Sequence, residues 1–406
     1  MLTPRLHRTL AIFTLTCALA LSACSTGGAH WTKAGSSPSA STGGAAAAAP
    51  KITSPASGAA DVPAGMDVAY TAPAGAKADV TLTAADGSTV AGSAGYDAST
   101  WVPAKALAYG SQYTAKVTST GTDGKATTST VSFTTMAKPA HLITVQSYLG
   151  DHMTYGNAVP IVLSLSHSVP KDSRATIQKR LSVTTTPTQV GAWSWINDHE
   201  VHWRPKVHWQ AGTTFDVAVN TGGLPMGNGY YGKNDLTVSA SITKNPMSIV
   251  VDDKTHMLTV TVNGKVVKKM PASNGKPSTP SSSGKLVIMT RKPSEIFDSS
   301  LGTGGTPVNS PGGYKELVLF TMRLTWDGQF IHAAPWSVKS QGHTDVSHGC
   351  TNVSTANAKW IYENSLVGTP VTVEGTPRPV ANGDGWTDWN VSWATYIKGS
   401  ALPVTA

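Results

Sequence analysis

The sequence of 406 residues contains little cysteine and little charge. Its three cysteines are Cys17, Cys24 and Cys350, and charged residues make up 13% of the chain. The first two lie in or at the end of an apolar N-terminal segment, so no pair remains for a disulfide framework. A lone cysteine in an exported protein is a liability unless its thiol is used. Cys350 is therefore the first candidate for chemistry.

Long apolar runs and clustered basic residues are also scarce. The run from Leu10 to Leu21 is too short to span a bilayer comfortably, and no other stretch is apolar enough. The net charge of +8 favours anionic surroundings such as wall polymers or lipid headgroups, although a merely soluble basic protein accounts for it equally well. No basic patch with interleaved aromatics is present, so we expect no nucleic-acid partner.

The N-terminus has the form of an export signal. Arg5 and Arg8 precede the apolar run, which ends in Leu-Ser-Ala-Cys at Cys24. This ending resembles a bacterial lipobox, in which the cysteine is lipidated; ordinary cleavage at a small-residue site is the alternative. We expect residues 1–24 to be a signal peptide with a lipobox. Residues 25–50, rich in Gly, Ser, Thr, Pro and Ala, then form a flexible tether. A lipid on Cys24 would anchor the chain to the outer face of the cytoplasmic membrane, in contact with the cell wall.

Two β-rich modules follow, as the length and the abundance of Gly, Ser, Thr, Ala and Val suggest. In the first, residues 51–137, the stretch from Leu107 to Val117 places tyrosines before an alternating strand, which is typical of the tyrosine corner of immunoglobulin-like sandwiches. Residues 138–245 repeat the pattern. The second module contains Trp193, Trp195, Trp203 and Trp209. These tryptophans could form a carbohydrate-binding face, but we favour core packing.

The third region, residues 246–375, is also β-rich. Asn263-Gly264 predicts a tight hairpin turn, and residues 293–313 are so rich in Gly, Ser and Pro that we predict an irregular lid. Ser354 is expected to cap a helix from Thr355 to Leu366. In the final extension, residues 376–406, the aromatic residues Trp389, Trp393 and Tyr396 have the spacing of one helical face.

Cys350 lies in Ser347-His348-Gly349-Cys350-Thr351-Asn352, and a thiol nucleophile needs a base. His348 is two positions away, His332 would have to be brought close by the fold, and His343 is a weaker candidate. Spacing alone does not choose among them. A zinc site built from these histidines and the cysteine is a further alternative, but no second cysteine or metal-binding helix supports it.

These residues resemble the signature of L,D-transpeptidases. His332, fourteen intervening residues and the stretch from Ser347 to Asn352 carry the resemblance, together with Ile331 to Val338 and Gln341 to Thr344. The order of lipobox, two modules, catalytic region and Trp-rich tail is also similar. The resemblance implies a mainly β fold: two immunoglobulin-like β-sandwiches, a catalytic β-sandwich domain with one helix, and a short C-terminal extension packed on that domain.

The resemblance further implies 3→3 cross-linking of peptidoglycan stem peptides without cofactor or metal. Cys350 would form a thioester with a donor tetrapeptide stem and release D-alanine, and the side-chain amine of a neighbouring stem's third residue, commonly meso-diaminopimelate, would attack it. His332 would be the base. Carbapenems acylate the cysteine in this family. Further roles implied are orientation of His332 by the Ala333 carbonyl, an oxyanion site at Ser347, His348, Gly349 and Cys350, and substrate contacts at Tyr314, Asn352, Asp327 and Gly328.

The sequence departs from the family pattern at three places. Thr351 stands where a larger apolar residue is frequent, and Phe297 stands where Met is common. The stretch from Leu301 to Thr306 is longer and richer in glycine than in relatives, and it lacks a second tyrosine. Two rival functions are an L,D-carboxypeptidase, with water as acceptor, and a non-catalytic wall-binding lipoprotein, against which the intact Cys/His/Gly motif argues.

Overall fold

The computed structural model describes residues 48–301 and 305–404. The predicted signal peptide, the lipidation site at Cys24 and tether residues 25–47 lie outside the described residues. Residues 302–304 of the predicted lid also lie outside them. Within the described ranges, no helix has both the length and the apolar character needed to cross a bilayer.

The first module is a sandwich of two sheets, ordered β1-β3-β7-β6 and β2-β9-β8-β4-β5. Its strands are β1 (Lys51–Ser54), β2 (Ala59–Val62), β3 (Val68–Thr71), β4 (Lys77–Ala84), β5 (Thr89–Val90), β6 (Gly92–Ala94), β7 (Thr100–Pro103), β8 (Gln112–Thr120) and β9 (Ala126–Thr135). Along β8 the alternate residues Tyr113, Ala115 and Val117 are buried, as a period of two requires. The Tyr113 hydroxyl accepts a hydrogen bond from the Ala108 backbone N–H at 3.0 Å, so the corner tyrosine ties strand to turn.

The second module contains two four-stranded sheets, β11-β13-β16-β15 and β12-β20-β17-β14, with a small sheet β10-β19-β18. Its elements are β10 (Leu142–Ile143), β11 (Val145–Ser147), β12 (Thr154–Tyr155), β13 (Ile161–Leu165), a 3-10 turn (Lys171–Ser173), α1 (Arg174–Gln178), β14 (Leu181–Thr186), β15 (Gly191–Trp195), β16 (Glu200–Pro205), β17 (Thr214–Asn220), β18 (Pro225–Gly227), β19 (Tyr230–Gly232) and β20 (Asp235–Ile242). All four tryptophans noted in the sequence are buried. Trp209 packs between Trp203 and Phe215, with ring centroids 5.1 and 5.0 Å apart. These rings therefore form core and not an exposed sugar-binding face.

The third region is built from two sheets, ordered β23-β22-β21-β29-β24-β30 and β25-β26-β27-β28, in which β30 (Arg378–Pro379) is contributed by the tail. The elements are β21 (Met247–Asp252), β22 (Met257–Val262), β23 (Lys265–Pro271), β24 (Ser282–Val287), β25 (Thr290–Asp298), β26 (Lys315–Arg323), β27 (Phe330–Ala333), a 3-10 turn (Pro335–Ser337), β28 (Thr351–Val353), α2 (Thr355–Asn364) and β29 (Pro370–Glu374). Asn263 and Gly264 both have positive φ, as the predicted hairpin turn needs. The Ser354 hydroxyl caps α2 by accepting from the Asn357 N–H at 3.3 Å.

The second sheet of this region places the candidate site. Strands β27 and β28 pair in parallel, with His332 opposite Asn352 and Ile331 opposite Thr351. Helix α2 packs Ala358 and Ile361 into the core beside this sheet. Because β28 follows Cys350 directly, the pairing brings the cysteine to the strand that carries His332.

The irregular lid predicted over residues 293–313 is partly wrong. Strand β25 extends to Asp298 and pairs with β26, with Ser294 opposite Leu319. Pro293 suggested irregular structure, but β25 is an edge strand, where the missing N–H of proline is tolerated. The irregular part begins only at Ser299.

The tail does not form the single helix predicted from its aromatic spacing. It contains β30 (Arg378–Pro379), a 3-10 turn (Asp388–Asn390), α3 (Trp393–Tyr396) and a second 3-10 turn (Ile397–Gly399). The three aromatic residues instead surround one cation: the Arg204 guanidinium lies 4.5, 5.2 and 4.4 Å from the rings of Trp389, Trp393 and Tyr396. The tail therefore packs against the second module, and it also joins the third region through β24 and β30. The domain limits given above stay predictions.

Candidate active site

A cavity of about 320 Å³ opens over the second sheet of the third region. Its lining residues are Phe297, Gly312, Gly313, Tyr314, Glu316, Val318, His332, Trp336, Val346, Ser347, His348, Cys350 and Asn352. The cavity thus brings together the cysteine, two of the three candidate bases and two of the four predicted substrate contacts, Tyr314 and Asn352. His343 is exposed and is not part of the lining.

Cys350 ends a tight turn that leads into β28. The Ser347 hydroxyl donates to the Cys350 carbonyl at 2.6 Å and accepts from the Gly349 N–H at 3.0 Å, which closes the turn on itself. The thiol donates to the Gly328 carbonyl at 3.5 Å. Burial raises the pKa of the Cys350 thiol to about 12, against a lowering effect of the Phe330 backbone. The resting nucleophile is therefore a thiol and not a thiolate.

His332 is buried at the floor of the cavity, on β27. Its Nδ1 lies 2.9 Å from the Ala333 carbonyl oxygen, so Nδ1 donates and Nε2 keeps its lone pair. Burial lowers the pKa of His332 to about 4, with a small opposing effect of the Ala333 bond. The imidazole is therefore neutral at physiological pH, and its Nε2 has no hydrogen-bond partner within the described part of the chain.

His348 is held differently, at the rim of the cavity. The Lys276 ammonium lies 3.2 Å from His348 Nε2 and donates to it, which occupies the lone pair that a base would need. Burial and the Lys276 charge lower the pKa of His348. Tyr314 lies over this histidine, with ring centroids 5.5 Å apart. This geometry suits a binding contact better than proton transfer.

The backbone N–H groups of the four residues expected to form the oxyanion site are not equivalent, and that of Ser347 is donated to the Asn274 carbonyl. That of Gly349 is already donated to the Ser347 hydroxyl. Those of His348 and Cys350 have no acceptor among the residues that the structure describes. Gly349 itself has a φ of 128°, which favours glycine and lets the chain turn sharply before the cysteine.

Two family models match the sequence: a bacterial Ig domain over residues 59–225, and an L,D-transpeptidase catalytic domain over residues 246–373. L,D-transpeptidase 2 of Mycobacterium tuberculosis is 39% identical over 354 residues, which cover 87% of this chain and 85% of that protein. The chain belongs to the L,D-transpeptidase family.

The chain is also similar to two further L,D-transpeptidases. L,D-transpeptidase 5 of M. tuberculosis is 33% identical, over 88% of this chain and 78% of that protein. A solved L,D-transpeptidase from Mycobacterium smegmatis is 33% identical over 57% of this chain and 99% of that chain, with a TM-score of 0.46. From the two family models and the M. tuberculosis sequence relatives, the protein is a transpeptidase enzyme of mainly β architecture, with an Ig-like region before its catalytic domain.

Asn352 and Phe297 complete the inner wall of this transpeptidase's cavity. The Asn352 amide nitrogen donates to the Ser337 hydroxyl at 3.1 Å, whereas its buried amide oxygen has no partner among the described residues. Phe297 lies edge-on to His332, with ring centroids 5.3 Å apart. It also packs on Phe330. Phe297 therefore helps to keep water from the imidazole.

Asp327 is the predicted site residue that lies apart from the others. Its carboxylate accepts from the Arg378 guanidinium and the Thr325 hydroxyl, and it does not line the cavity. Gly328 is close to the reactive group only through its carbonyl, which accepts from the thiol.

Sequence reasoning gave no role to four lining residues, Glu316, Val318, Trp336 and Val346. The first two were detectable, because Glu316 and Val318 alternate along one face of β26 and continue the two-residue spacing from Tyr314, which immediately precedes the strand. Trp336, whose ring centroid is 6.1 Å from that of His332, lies within the motif region but carried no signal of its own. As for metals, the described parts of the transpeptidase contain no group of three or more His, Cys, Asp or Glu side chains able to hold an ion.

Proposed function

We propose that this transpeptidase forms 3→3 cross-links in peptidoglycan through a thioester on Cys350. The observation that carries the proposal is a neutral imidazole with a free Nε2, in one cavity with a protonated thiol. Neither the imidazole nor the thiol has to be charged before the reaction begins. The proton moves as the sulfur attacks, so the buried site never has to hold an isolated ion.

In the first step the Cys350 sulfur attacks the carbonyl between the third residue of a donor tetrapeptide and its terminal D-alanine. His332 Nε2 accepts the thiol proton during the attack. The tetrahedral intermediate collapses, the C–N bond breaks, and His332 returns the proton to the leaving amine of D-alanine. The stem is left as a thioester on Cys350.

In the second step the side-chain amine of the third residue of an acceptor stem attacks the thioester. His332 takes a proton from this amine and returns it to the departing sulfur, which restores the thiol. We propose that the Cys350 and His348 N–H groups stabilise the oxyanion in both steps, because the Gly349 N–H is already donated to Ser347.

Glu316 supports binding of the acceptor. Among the described residues that line the cavity it is the acidic one, and no lysine or arginine of the described chain pairs with it. The pKa of Tyr314 is raised by burial, then by Cys350 and then by the Glu316 carboxylate. The negative charge of Glu316 therefore acts on a group inside the cavity. The side-chain amine reaches the cavity as an ammonium ion, which a carboxylate at this wall would attract. It loses one proton to solvent before it attacks the thioester, and His332 takes the second proton during the attack.

We further propose that Cys24 is lipidated and that the enzyme works at the outer face of the cytoplasmic membrane, next to its polymer substrate. The Leu-Ser-Ala-Cys ending of the apolar run supports this location. Labelling with an alkyne fatty acid tests it: the wild-type protein should be labelled, and the Cys24→Ala variant should not.

Mass spectrometry of products tests the chemistry. The enzyme incubated with a disaccharide-tetrapeptide should give dimers that have lost one alanine. Monomeric tripeptide without dimers would instead indicate an L,D-carboxypeptidase. Cys350→Ala should give neither product, and full activity of that variant would refute the thioester mechanism.

A further inference from the structure

A short segment preceding the catalytic motif runs beside the cysteine turn. Residues 273–276 follow the end of β23, and two isolated bridges join them to the turn: Ser273 with Asn352, and Gly275 with Ser347. Ser273 and Asn352 exchange both backbone hydrogen bonds, at 3.0 and 2.8 Å. The Lys276 N–H donates to the Ser347 carbonyl at 3.0 Å. The segment therefore supports the turn on both sides of Cys350.

Asn274 is the centre of this support. It is fully buried, and its backbone carbonyl accepts from the Ser347 N–H at 3.0 Å. Its side-chain Oδ1 accepts from the Thr351 hydroxyl at 2.8 Å. One residue thus holds the chain three positions before Cys350 and one position after it.

The other two polar groups of Asn274 point away from the turn. Its backbone N–H donates to Asp345 Oδ1 at 2.6 Å, and its Nδ2 donates to Asp253 Oδ1 at 2.9 Å. Because a carboxylate accepts and cannot donate when ionised, Asp253 fixes which end of the amide faces Thr351. All four polar groups of Asn274 are satisfied, and none of them faces the cavity.

Thr351 is the residue through which this network reaches the nucleophile. Its side chain is fully buried, and a buried hydroxyl is costly unless it is hydrogen-bonded. Thr351 follows Cys350 directly and pairs across the sheet with Ile331, the neighbour of His332. Its position therefore sets the sulfur and the Cys350 N–H relative to the imidazole.

We propose that Asn274 is a positioning residue of the transpeptidase reaction. Through the Thr351 hydroxyl and the Ser347 N–H it fixes the Cys350 turn, so that the thiol and the Cys350 N–H meet the same substrate carbonyl. Asn274 touches neither substrate nor reacting atoms. The role rests on the proposed function of Cys350 as the nucleophile.

The test compares Thr351→Val with Thr351→Ser in the full-length protein. Valine keeps the branched shape and loses the hydroxyl, whereas serine keeps the hydroxyl. The measurement is acylation by a carbapenem, followed by stopped-flow tryptophan fluorescence and confirmed by protein mass. We expect valine to lower the limiting acylation rate constant by about 10- to 100-fold, because small misplacements of reacting groups cost this much. The carbapenem concentration at half-saturation should stay unchanged, and serine should restore the rate.

A second variant keeps the proposal testable should Thr351→Val fail to fold. Asp253→Ala removes the outer partner of the Asn274 amide without touching the turn, and we expect it to slow acylation about fivefold. Val260→Ala is the matched control, because Val260 is buried in the hydrophobic core of the catalytic region but does not line the cavity. It should lower the melting temperature and leave the acylation rate constant of the folded protein unchanged.

A double-mutant cycle decides whether Asn274 acts through Thr351. The loss in acylation rate for Thr351→Val with Asn274→Leu should be smaller than the product of the two single losses. Multiplicative losses, or wild-type rates in both Thr351→Val and Asp253→Ala, would overturn the positioning role alone. A wild-type protein that the carbapenem does not acylate would instead contradict the proposed function, and this role with it.

Discussion

Two histidines of the transpeptidase are equally buried and yet have opposite pKa shifts. His332, in the cavity, has no charged partner among the residues that the structure describes, and burial lowers its pKa to about 4. His202, where the second module meets the tail, is enclosed by Asp388 and Glu200, with nitrogen-to-oxygen distances of 2.9 and 2.8 Å. Burial alone would lower the pKa of His202, but the two carboxylates raise it to about 9. Burial keeps an imidazole without charged partners neutral, whereas carboxylate partners make a buried imidazole cationic.

The two charge states suit two different roles, proton transfer for His332 and structural support for His202. A neutral imidazole with a free Nε2 can take a proton, whereas a cationic one with both nitrogens bound can only hold other groups. His202 also receives the Tyr396 hydroxyl on its backbone carbonyl at 2.9 Å, so it ties the tail to β16. Four experiments test this contrast between the histidines, and a fifth tests the charge on the cavity wall.

Loss of the neutral histidine should have the largest effect. His332→Ala should lower the acylation rate constant by about 10²- to 10⁴-fold, the usual contribution of a general base. His348→Ala is the control, and it should lower the rate far less, because Lys276 occupies its Nε2. Stopped-flow acylation with a carbapenem measures both variants. Equal losses in the two variants would remove the distinction between the histidines.

Loss of one carboxylate should damage the cationic histidine's site. Asp388→Asn leaves the buried charge of His202 with one acidic partner, so we expect a loss of about 3 kcal/mol in the free energy of unfolding. Urea denaturation measures it. Asp198→Asn is the control, because its partner His199 is exposed, and it should have little effect. An unchanged stability for Asp388→Asn would show that His202 is neutral.

The two histidines should change the free energy of unfolding with pH in opposite directions. His202 binds its proton more tightly in the folded state, so its contribution is complete below pH 6.5 and is lost as the pH rises toward 9. His332 binds its proton more weakly in the folded state, so stability falls as the pH drops from 6.5 toward 4. Urea denaturation from pH 4 to 9 should show each slope. His202→Gln should flatten the alkaline slope, and His332→Gln the acidic one.

The pH profile of acylation reports the same imidazole in action. Because His332 stays neutral down to about pH 4, the acylation rate constant should be flat from pH 7 to pH 5 and fall only near pH 4. A base with an ordinary histidine pKa would lose more than half of its rate by pH 6. Carbapenem acylation at constant ionic strength distinguishes the two profiles.

The smallest effect should come from the charge on the cavity wall. Glu316→Gln should raise the KM for the acceptor stem about fivefold and leave carbapenem acylation unchanged, because the carboxylate meets only the incoming amine. Steady-state dimer formation at fixed donor concentration measures this. A matching change in acylation would place Glu316 on the donor side.

Much of the architecture was readable from the sequence because its signals are local. The Asn263-Gly264 turn, the Ser354 cap and the alternating strand containing Tyr113 each depend on neighbouring residues. The extent of β25 was not readable, because an edge position makes a strand proline harmless. The helical spacing of the tail aromatics was misleading, because Arg204, far away in the sequence, gathers their rings.

The candidate site, too, could be predicted from the sequence only in part. The motif identified Cys350 and His332, but not the state of the groups around them. Three hydrogen bonds set this state. The Gly349 N–H donates to Ser347 within the turn, whereas Lys276 donates to His348 and Thr351 donates to Asn274 between segments that are distant in the sequence. A linear pattern carries no information about such pairings. The assignments of catalytic and binding roles to these residues remain predictions.

The position of Trp386 has a consequence for the order of assembly. This side chain is 2% exposed and belongs to the same core as the tryptophans of the second module, together with Val287 and Met289 from the catalytic region. Trp386 lies more than 140 residues beyond the end of β20 at Ile242. The second module therefore cannot complete its core from its own residues. The last part of this core is buried only when the catalytic region and the end of the chain have packed on the second module.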